Sequence, residues 1–313
     1  MSIPKISIIV PLYNEEQVFE ELEKRLINLA NKKDFEFEFI LVDDGSADST
    51  PALMEQLSLS DNRFKSVFLS HNFGHQIAVS AGMANVSNPD AIMIIDGDLQ
   101  DPPELVADFY NQIKAGYDVV YAIRKKRKEN WIKKISYWMF YRILNSISTI
   151  NIPLDSGDFC MISKRVNDEI ALMPERSRFI RGMRTWVGFR QIGIEYERNA
   201  RYAGEAKYGF KMLFKLAYDG IFNFSEVPLR LITKLGFVVV TLSMFYIFFV
   251  LIMMIIGKNI PQGFLSTIIA ISLFSGVQLI CLGVIGEYLS RIYEQVKGRP
   301  LYIIKKIVDK EKN

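Results

Sequence analysis

The sequence has few of the residues that hold small secreted or zinc-binding domains together. Its 313 residues include only two cysteines and two histidines, and Cys160 and Cys281 lie far apart. Such a pair forms neither a disulfide framework nor a zinc cluster, so a domain that faces a reducing, cytosolic compartment is predicted. No signal peptide is predicted either, because residues 1–16 carry no basic stretch followed by a long apolar run.

The sequence also lacks a marked excess of charge of either sign. Lys and Arg exceed Asp and Glu by only three, so the overall charge says little about partners, and no nucleic-acid partner is expected. Half of the residues are hydrophobic, which is high for a soluble enzyme and low for a polytopic transporter. The length and composition together predict a soluble domain and a few membrane spans.

Residues 1–125 alternate apolar, strand-like segments with amphipathic, helix-like segments. This pattern predicts an α/β, Rossmann-like domain with a mostly parallel sheet and helices on both faces. Ligands of such sheets bind beyond the carboxyl ends of the strands. The sequence places polar segments at those ends, namely PLYNEE, DDGSAD, HNFGHQ and DGDLQD.

Two uncharged apolar segments, 235–257 and 264–286, are each long enough to cross a bilayer, which takes about 20 residues. Their short connector predicts a transmembrane hairpin, and the basic residues outside it place both flanks in the cytoplasm. Basic, aromatic segments near 131–150 and 208–225 are predicted to be interfacial helices. The predicted parts are a cytoplasmic catalytic domain at 1–229, two membrane helices within 230–290 and a cytoplasmic tail at 291–313.

The strongest chemical signal is the Asp-x-Asp motif of Asp96 and Asp98 at the end of the fourth strand. Two such carboxylates can share Mg²⁺ or Mn²⁺, which takes oxygen ligands and is often completed by substrate phosphates. Gly97 lets the backbone approach a ligand, and Gln100 and Asp101 can complete the coordination. A departing nucleoside diphosphate needs this neutralisation.

Other segments at this edge suit the rest of a nucleotide. Asp43 and Asp44 can accept hydrogen bonds from a base or a ribose, and Tyr13 can stack on a base. The ribose can be contacted by Asn14 and by Glu15 or Glu16. A strand-turn-cap without any ligand is the alternative for the Asp43–Asp44 segment. Each of these signals is unspecific when it is taken singly.

Three further segments carry polar residues. His71 and His75 have a spacing that suits zinc on a helix, but no third ligand is nearby, so a donor-contacting loop with Gln76 as a polar contact is favoured. Asp158 lies in a turn, where it is either a general base or a capping acid. Arg201 and Lys207 form a basic loop that suits phosphates, with a solvated surface loop as the alternative.

Taken in order, these motifs resemble the polyprenyl-phosphate glycosyltransferases of the large inverting family with the GT-A fold. This group includes the bactoprenol glucosyltransferases and is related to dolichol-phosphate mannose synthase. The resemblance covers nearly the whole chain, including the two spans and the ending GEYLSRIYEQVKGRPLYII. It implies a hexosyltransferase that moves glucose, with inversion, from UDP-glucose to undecaprenyl phosphate at the cytoplasmic face of the inner membrane. Whether the chain forms a homo-oligomer is left open.

The resemblance also implies residue roles. The implied ligands of Mg²⁺ or Mn²⁺ are Asp96, Asp98 and Gln100. The implied catalytic residues are Asp158 and Asp98. The donor-binding residues are Pro11, Tyr13, Glu15, Asp43, Asp44, Gln76, Asp96 and Gly97. The phosphates of acceptor and donor are assigned to Arg124, Arg127, Arg201 and Lys207. The basic loop departs from the family pattern, because Ala206 stands where a serine is usual.

Several alternatives remain. The same reaction with mannose, N-acetylglucosamine, galactose or aminoarabinose is one, because a single contact can change a hydroxyl preference. A polysaccharide synthase would carry Gln-x-x-Arg-Trp and more spans, whereas this chain has RGMRTWVG. A non-catalytic sugar-nucleotide sensor would be favoured by loss of the acidic residues, which are present, and a lipid-linked sugar transporter by more spans.

Overall fold

The computed structural model describes residues 3–124, 156–197, 227–256 and 263–310. These residues fall into two compact units. The first contains 3–124, 156–197 and 299–310, and the second contains 227–256 and 263–298. The interfacial helices predicted near 131–150 and 208–225 lie outside the described residues.

The first unit is built on one eight-stranded sheet. Its strands are β1 (Lys5–Leu12), β2 (Glu36–Asp43), β3 (Phe64–Leu69), β4 (Ala91–Ile94), β5 (Val119–Arg124), β6 (Ser156–Ser163), β7 (Gln191–Tyr196) and β8 (Ile304–Asp309). Its helices are α1 (Glu16–Ala30), α2 (Thr50–Ser60), α3 (His75–Met83), α4 (Val106–Lys114), α5 (Lys164–Leu172) and α6 (Ile180–Trp186), with a short 3₁₀ turn at Pro103–Leu105.

The strand order is β7-β5-β6-β4-β1-β2-β3-β8. Strands β1 to β4 run parallel to one another, and β5 and β7 share their direction, whereas β6 and β8 run the opposite way. The α/β class and the mostly parallel sheet are therefore confirmed, as a mixed sheet of the GT-A type. The ends of β1 to β4 and the start of β6 meet at one edge, called here the carboxyl edge.

The apolar strands are continuous because helices cover both faces of the sheet. Along β1, side chains that alternate with Ile9 pack into a cluster with α1 and α2, while Ile9 packs into a second cluster with α3 and α5. Strand residues point alternately to the two faces, so a strand buried on both sides must be apolar throughout. This packing fixes the strand ends, and with them the polar loops of the carboxyl edge.

Strand β8 was not foreseen, because residues 291–313 were predicted to be a tail. Residues Ile304–Asp309 pair antiparallel with β3 and complete the sheet on that side. Val308 is buried, whereas its neighbour Ile307 is 42% exposed. Lys306 forms an ion pair with Glu55 of α2 at 2.5 Å. The C-terminal strand thus covers an edge that would otherwise present unpaired backbone groups.

Val308→Asp is expected to lower the free energy of unfolding of the first unit by about 3 kcal/mol, because it buries an unpaired carboxylate. Ile307→Asp is the matched control, since it places the same charge one residue away on the exposed face. It should change stability by less than about 0.5 kcal/mol. Urea unfolding of the full chain in detergent measures both, and equal losses would show that β8 does not dock in this register.

The second unit consists of two long apolar helices, α7 (Val227–Ile255) and α8 (Phe264–Val296), which contact each other. Their apolar parts have mean hydropathies of 2.6 and 2.1 and are not buried by protein. Both are long enough to cross a membrane. Helix α7 begins before the predicted span 235–257 and ends at Ile255, whereas helix α8 begins with the predicted span 264–286 and continues to Val296.

Candidate active site

The loops that follow β1 and β2 are joined by polar contacts at the carboxyl edge. The Asn14 N–H donates to Ser46 Oγ at 2.9 Å, and Asn14 Oδ1 accepts from the Ala47 N–H at 2.8 Å. The Glu15 N–H donates to Thr50 Oγ1 at 2.9 Å. This bond joins the first residue of α2 to the loop after β1. The polar residues after β1 thus shape the edge as well as lining it.

Asp44 ties the loop after β2 to the loop after β3. Its carboxylate accepts hydrogen bonds from the backbone N–H groups of Phe73 at 2.8 Å and Gly74 at 2.9 Å. Gly45 makes the close approach feasible, because it has φ +73° and a Cβ there would lie 2.5 Å from the His71 carbonyl carbon. Burial raises the pKa of Asp44 despite these two hydrogen bonds. Asp44 therefore has a structural task at the edge where it was predicted to bind a nucleoside.

The other residues predicted to bind the donor lie at the same edge. Pro11 is buried within β1, Glu15 is half-buried, and the carboxylate of Asp43 accepts the Ser46 N–H at 3.0 Å. Tyr13 is 40% exposed and offers an aromatic surface to solvent. The structure thus brings these residues together, as their place at the strand ends predicted.

The acidic loop after β4 turns sharply. Leu99 has φ +61° and is buried, so its side chain anchors the turn in the core. Gly97 packs directly on the side chain of Leu12, where a Cβ would clash. Asp98 Oδ1 accepts the Gln100 N–H at 3.1 Å. A left-handed residue other than glycine is strained and is typical of functional loops.

Two contacts fix this loop to the rest of the domain. Asp101, which the sequence suggested as a metal ligand, is buried and accepts a hydrogen bond from the Tyr196 hydroxyl at 2.5 Å. Arg25 of α1 donates to the Leu99 carbonyl oxygen at 3.3 Å and forms an ion pair with Glu104 at 2.8 Å. The loop is therefore held rigidly relative to the sheet.

Asp96 is suited to a cation. Its Oδ1 is buried and has no hydrogen-bond partner among the residues that the structure describes. Burial raises the pKa of Asp96 to about 6, and the carboxylates of Asp101, Asp158 and Asp98 add to the effect of burial while His75 opposes it. An unpartnered carboxylate oxygen beside a second acid fits Mg²⁺ or Mn²⁺. Within the described parts of the chain, no group of three acidic, histidine or cysteine side chains is arranged to hold a metal ion by itself.

Asp158 lies beside Asp96 because of strand register. Ile94 of β4 pairs with Cys160 of β6 in antiparallel order, so two residues further along, Asp96 comes level with Asp158. His75 lies between the two acids, with its Nε2 3.5 Å from Asp96 Oδ1 and 3.8 Å from Asp158 Oδ2. The structure thus brings together three residues for which the sequence predicted separate roles.

Arg181 binds Asp158 with a two-pronged ion pair. Its Nε donates to Oδ1 at 2.8 Å and its Nη2 donates to Oδ2 at 3.0 Å. Burial alone would raise the pKa of Asp158, but Arg181, with help from His75 and Arg184, outweighs burial and holds the pKa below its usual range. Asp158 is thus a stable anion at neutral pH.

Arg181 and Arg184 were not predicted as site residues. Both lie on α6, three residues apart, and Arg184 is 1% exposed with its Nη2 3.0 Å from the Gly157 carbonyl oxygen. Their segment, RGMRTWVG, differs from the Gln-x-x-Arg-Trp motif of polysaccharide synthases, and the sequence analysis assigned it no other role. Two arginines at helical spacing were the available signal, because such residues share one face.

The phosphate-binding residues are covered only in part. Arg124 ends β5, and its side chain is not described. Arg127, Arg201 and Lys207 lie outside the described residues, so their roles stay predictions.

Comparisons with known proteins show which proteins this chain is similar to. The family described as Glycosyl transferase family 2 matches residues 7–171. The chain is 44% identical over 301 residues to the uncharacterized glycosyltransferase YkcC of Bacillus subtilis (strain 168), covering 96% of this chain and 93% of that one. It is 38% identical over 303 residues to the bactoprenol glucosyl transferase of Shigella phage SfII, covering 96% and 98%. The crystal structure of S. aureus TarS 1–349 in complex with UDP-GlcNAc is 19% identical, with a TM-score of 0.47 over 70% of this chain and 67% of that one.

The matched family spans β1 to α5, which includes the loops of the carboxyl edge and both acids that flank His75. The relatives extend the similarity over nearly the whole length of both chains. The chain therefore belongs to glycosyl transferase family 2 and is a glycosyltransferase.

Proposed function

We propose that this glycosyltransferase moves a hexose, with inversion, from a nucleoside diphosphate sugar to polyprenyl phosphate at the cytoplasmic face of the inner membrane. Glucose from UDP-glucose is the proposed donor. The similarity to the phage bactoprenol glucosyl transferase carries this proposal, because it covers 98% of that protein, including the two apolar helices as well as the catalytic domain. A multi-pass enzyme that acts on a lipid acceptor needs membrane helices as well as a catalytic domain.

The carboxyl edge offers each part of the donor a partner. Tyr13 and the loops after β1 and β2 would hold the nucleoside, while Asp96 and Asp98 would hold Mg²⁺ or Mn²⁺ at the diphosphate. When bound, the cation neutralises the charge of the departing nucleotide. Asp158 is held as an anion, and only the side chain of His75 lies between it and Asp96. In the proposed binding mode the anomeric carbon would lie near both acids.

The acceptor needs little activation. A phosphate monoester loses its second proton near pH 6, so most of the polyprenyl phosphate is already a dianion in the cytosol. Arg124, Arg127, Arg201 and Lys207 are proposed to bind phosphate groups of acceptor and donor. The chain's main tasks are then to orient the two reactants and to exclude water.

The proposed membrane arrangement puts the catalytic domain and both termini in the cytoplasm. The apolar helices α7 and α8 have the length of spans. Basic residues flank their apolar parts, with Arg230 near the start of α7, Arg291 near the end of α8 and Arg299 beyond it. Positive charge near spans marks the cytoplasmic side. The acceptor head group would then meet the donor at the surface of the inner leaflet.

Radiolabel transfer tests the proposal. Purified protein in detergent is incubated with undecaprenyl phosphate and a panel of labelled nucleotide sugars, and label is counted in the organic extract. UDP-glucose should give the highest rate, EDTA should abolish transfer, and added Mg²⁺ or Mn²⁺ should restore it. Preference for mannose, N-acetylglucosamine, galactose or aminoarabinose would replace the proposed sugar. Absence of lipid-linked label from every donor would refute the acceptor.

A further inference from the structure

The Asp158 carboxylate is held more firmly than a proton acceptor needs to be. Its Oδ1 accepts Arg181 Nε at 2.8 Å, and its Oδ2 accepts Arg181 Nη2 at 3.0 Å and Gln76 Nε2 at 3.3 Å. A carboxylate can accept about four hydrogen bonds. Among the described residues, these three donors leave one acceptor position, on Oδ1, and the side chain is 15% exposed. The carboxylate therefore keeps a fixed site for one more donor.

Gln76 has no freedom to move independently of this group. Its Oε1 accepts the N–H of Ile180 at 2.9 Å while its Nε2 donates to Asp158. Ile180 begins α6, Gln76 lies in the first turn of α3, and Arg181 is the next residue of α6. The first turns of two helices thus hold one carboxylate, and both ends of the Gln76 amide are engaged.

The Asp158 side chain lies near the place where the transferred sugar would be. Asp158 and Asp96 flank the Nε2 of His75, at 3.8 Å and 3.5 Å. Asp96 would hold the cation at the diphosphate, and the sugar is the group attached to that diphosphate. A hexose ring presents hydroxyl donors there, and a buried anion that accepts a hydroxyl hydrogen bond discriminates strongly between sugars.

We propose that Asp158 accepts a hydrogen bond from a hydroxyl group of the transferred sugar, and that Arg181 and Gln76 are positioning residues that hold its carboxylate in place. This inference rests on the proposed function, because it names how the same site binds the sugar half of its donor. Asp158 contacts the substrate, whereas Arg181 and Gln76 act through Asp158.

Calorimetry with UDP and UDP-glucose separates the sugar contact from the nucleotide contact. In the full chain, with Mn²⁺ present, Arg181→Met and Gln76→Met should each weaken UDP-glucose binding about tenfold, as expected for a displaced charged acceptor. Both variants should bind UDP with the affinity of the unsubstituted protein. Arg181→Lys keeps the positive charge but loses the two-pronged hydrogen bonding of the guanidinium. It should therefore bind UDP-glucose more tightly than Arg181→Met does.

Arg165→Met is the matched control. Arg165 forms the same two-pronged pair with buried Asp118, at the start of β5 on the opposite edge of the sheet. Its loss should leave both affinities unchanged. Equal weakening of UDP and UDP-glucose in Arg181→Met, or no change in either, would overturn the inference.

The unsubstituted protein tests the proposed function, and the variants then test the inference. If the unsubstituted protein binds UDP but not UDP-glucose, the proposed donor fails, and the inference fails with it. If it binds both and transfers sugar, the variants alone decide whether the inference holds. If Arg181→Met does not fold, Gln76→Met and Arg181→Lys decide: unchanged UDP-glucose affinity in both would overturn the inference.

Discussion

Replacing Asp96 with asparagine should lower sugar transfer about a hundredfold or more and, in the metal-free protein, raise stability at pH 8. The amide is a weaker cation ligand than the carboxylate, so the charge of the leaving diphosphate is less well neutralised. Transfer of labelled sugar into lipid measures the first effect. Retained, metal-dependent transfer by Asp96→Asn would show that the cation binds elsewhere.

The stability gain follows from the direction of the pKa shift. Burial raises the pKa of Asp96 from 3.8 to about 6, so the folded protein holds the proton more tightly than the unfolded chain does. Ionisation of Asp96 therefore costs stability, increasingly from about pH 4 upward and fully above about pH 6. Asparagine removes this cost, which is roughly 2 kcal/mol after allowance for a side chain that is 28% exposed.

Urea unfolding with EDTA at pH 8 and pH 4 measures this gain, which should vanish at the lower pH. Asp108→Asn is the matched control, because Asp108 is an exposed acid on the nearby helix α4. It should change neither transfer nor stability. A destabilised Asp96→Asn at pH 8 would mean that Asp96 has a stabilising partner in the folded protein.

Replacing Asp158 with asparagine should lower transfer roughly a hundredfold, and by the same factor at pH 6 and pH 8. Arg181 binds both carboxylate oxygens, and Arg181, His75 and Arg184 together hold the pKa of Asp158 below its usual range. Burial acts in the opposite direction, but these cations outweigh it. Asp158 is therefore ionised at both pH values, and its removal deletes the same contact at each.

A general base would behave differently. At pH 8 the acceptor phosphate has already lost its second proton, so a missing base would matter little, whereas at pH 6 about half of the acceptor still carries that proton. A much larger loss at pH 6 than at pH 8 would therefore support proton abstraction by Asp158. Asp168→Asn, at an exposed acid of α5 paired with Lys164, controls for general effects of charge.

The part of the fold that positions the site was predictable from local patterns. Strands β1 to β4 are continuous apolar segments, the helices between them are amphipathic, and the parallel arrangement follows from their alternation. The gathering of Tyr13, Asp44, His75 and Asp96 at one edge then needed no knowledge of distant contacts. It follows from the common direction of the strands that precede them.

Contacts between distant segments were not predictable. Asp158 and Arg181 lie on a strand and a helix whose packing no local pattern specifies, and Gln76 joins them from more than 80 positions earlier. Gln76 was predicted to contact the donor, yet its amide is engaged by Asp158 and Ile180. Strand β8 is short and rich in lysine, so its sequence resembles a solvated tail until its pairing with β3 is known.

The position of strand β8 also restricts how many times the chain can cross a bilayer. The two apolar helices occur between β7 and β8, and these strands stand at opposite ends of one sheet. A polypeptide that leaves a sheet and later rejoins it must finish on the side of the bilayer from which it started. Any bilayer crossings between Tyr196 and Ile304 are therefore even in number. A single reporter at either end of the chain would thus locate both ends.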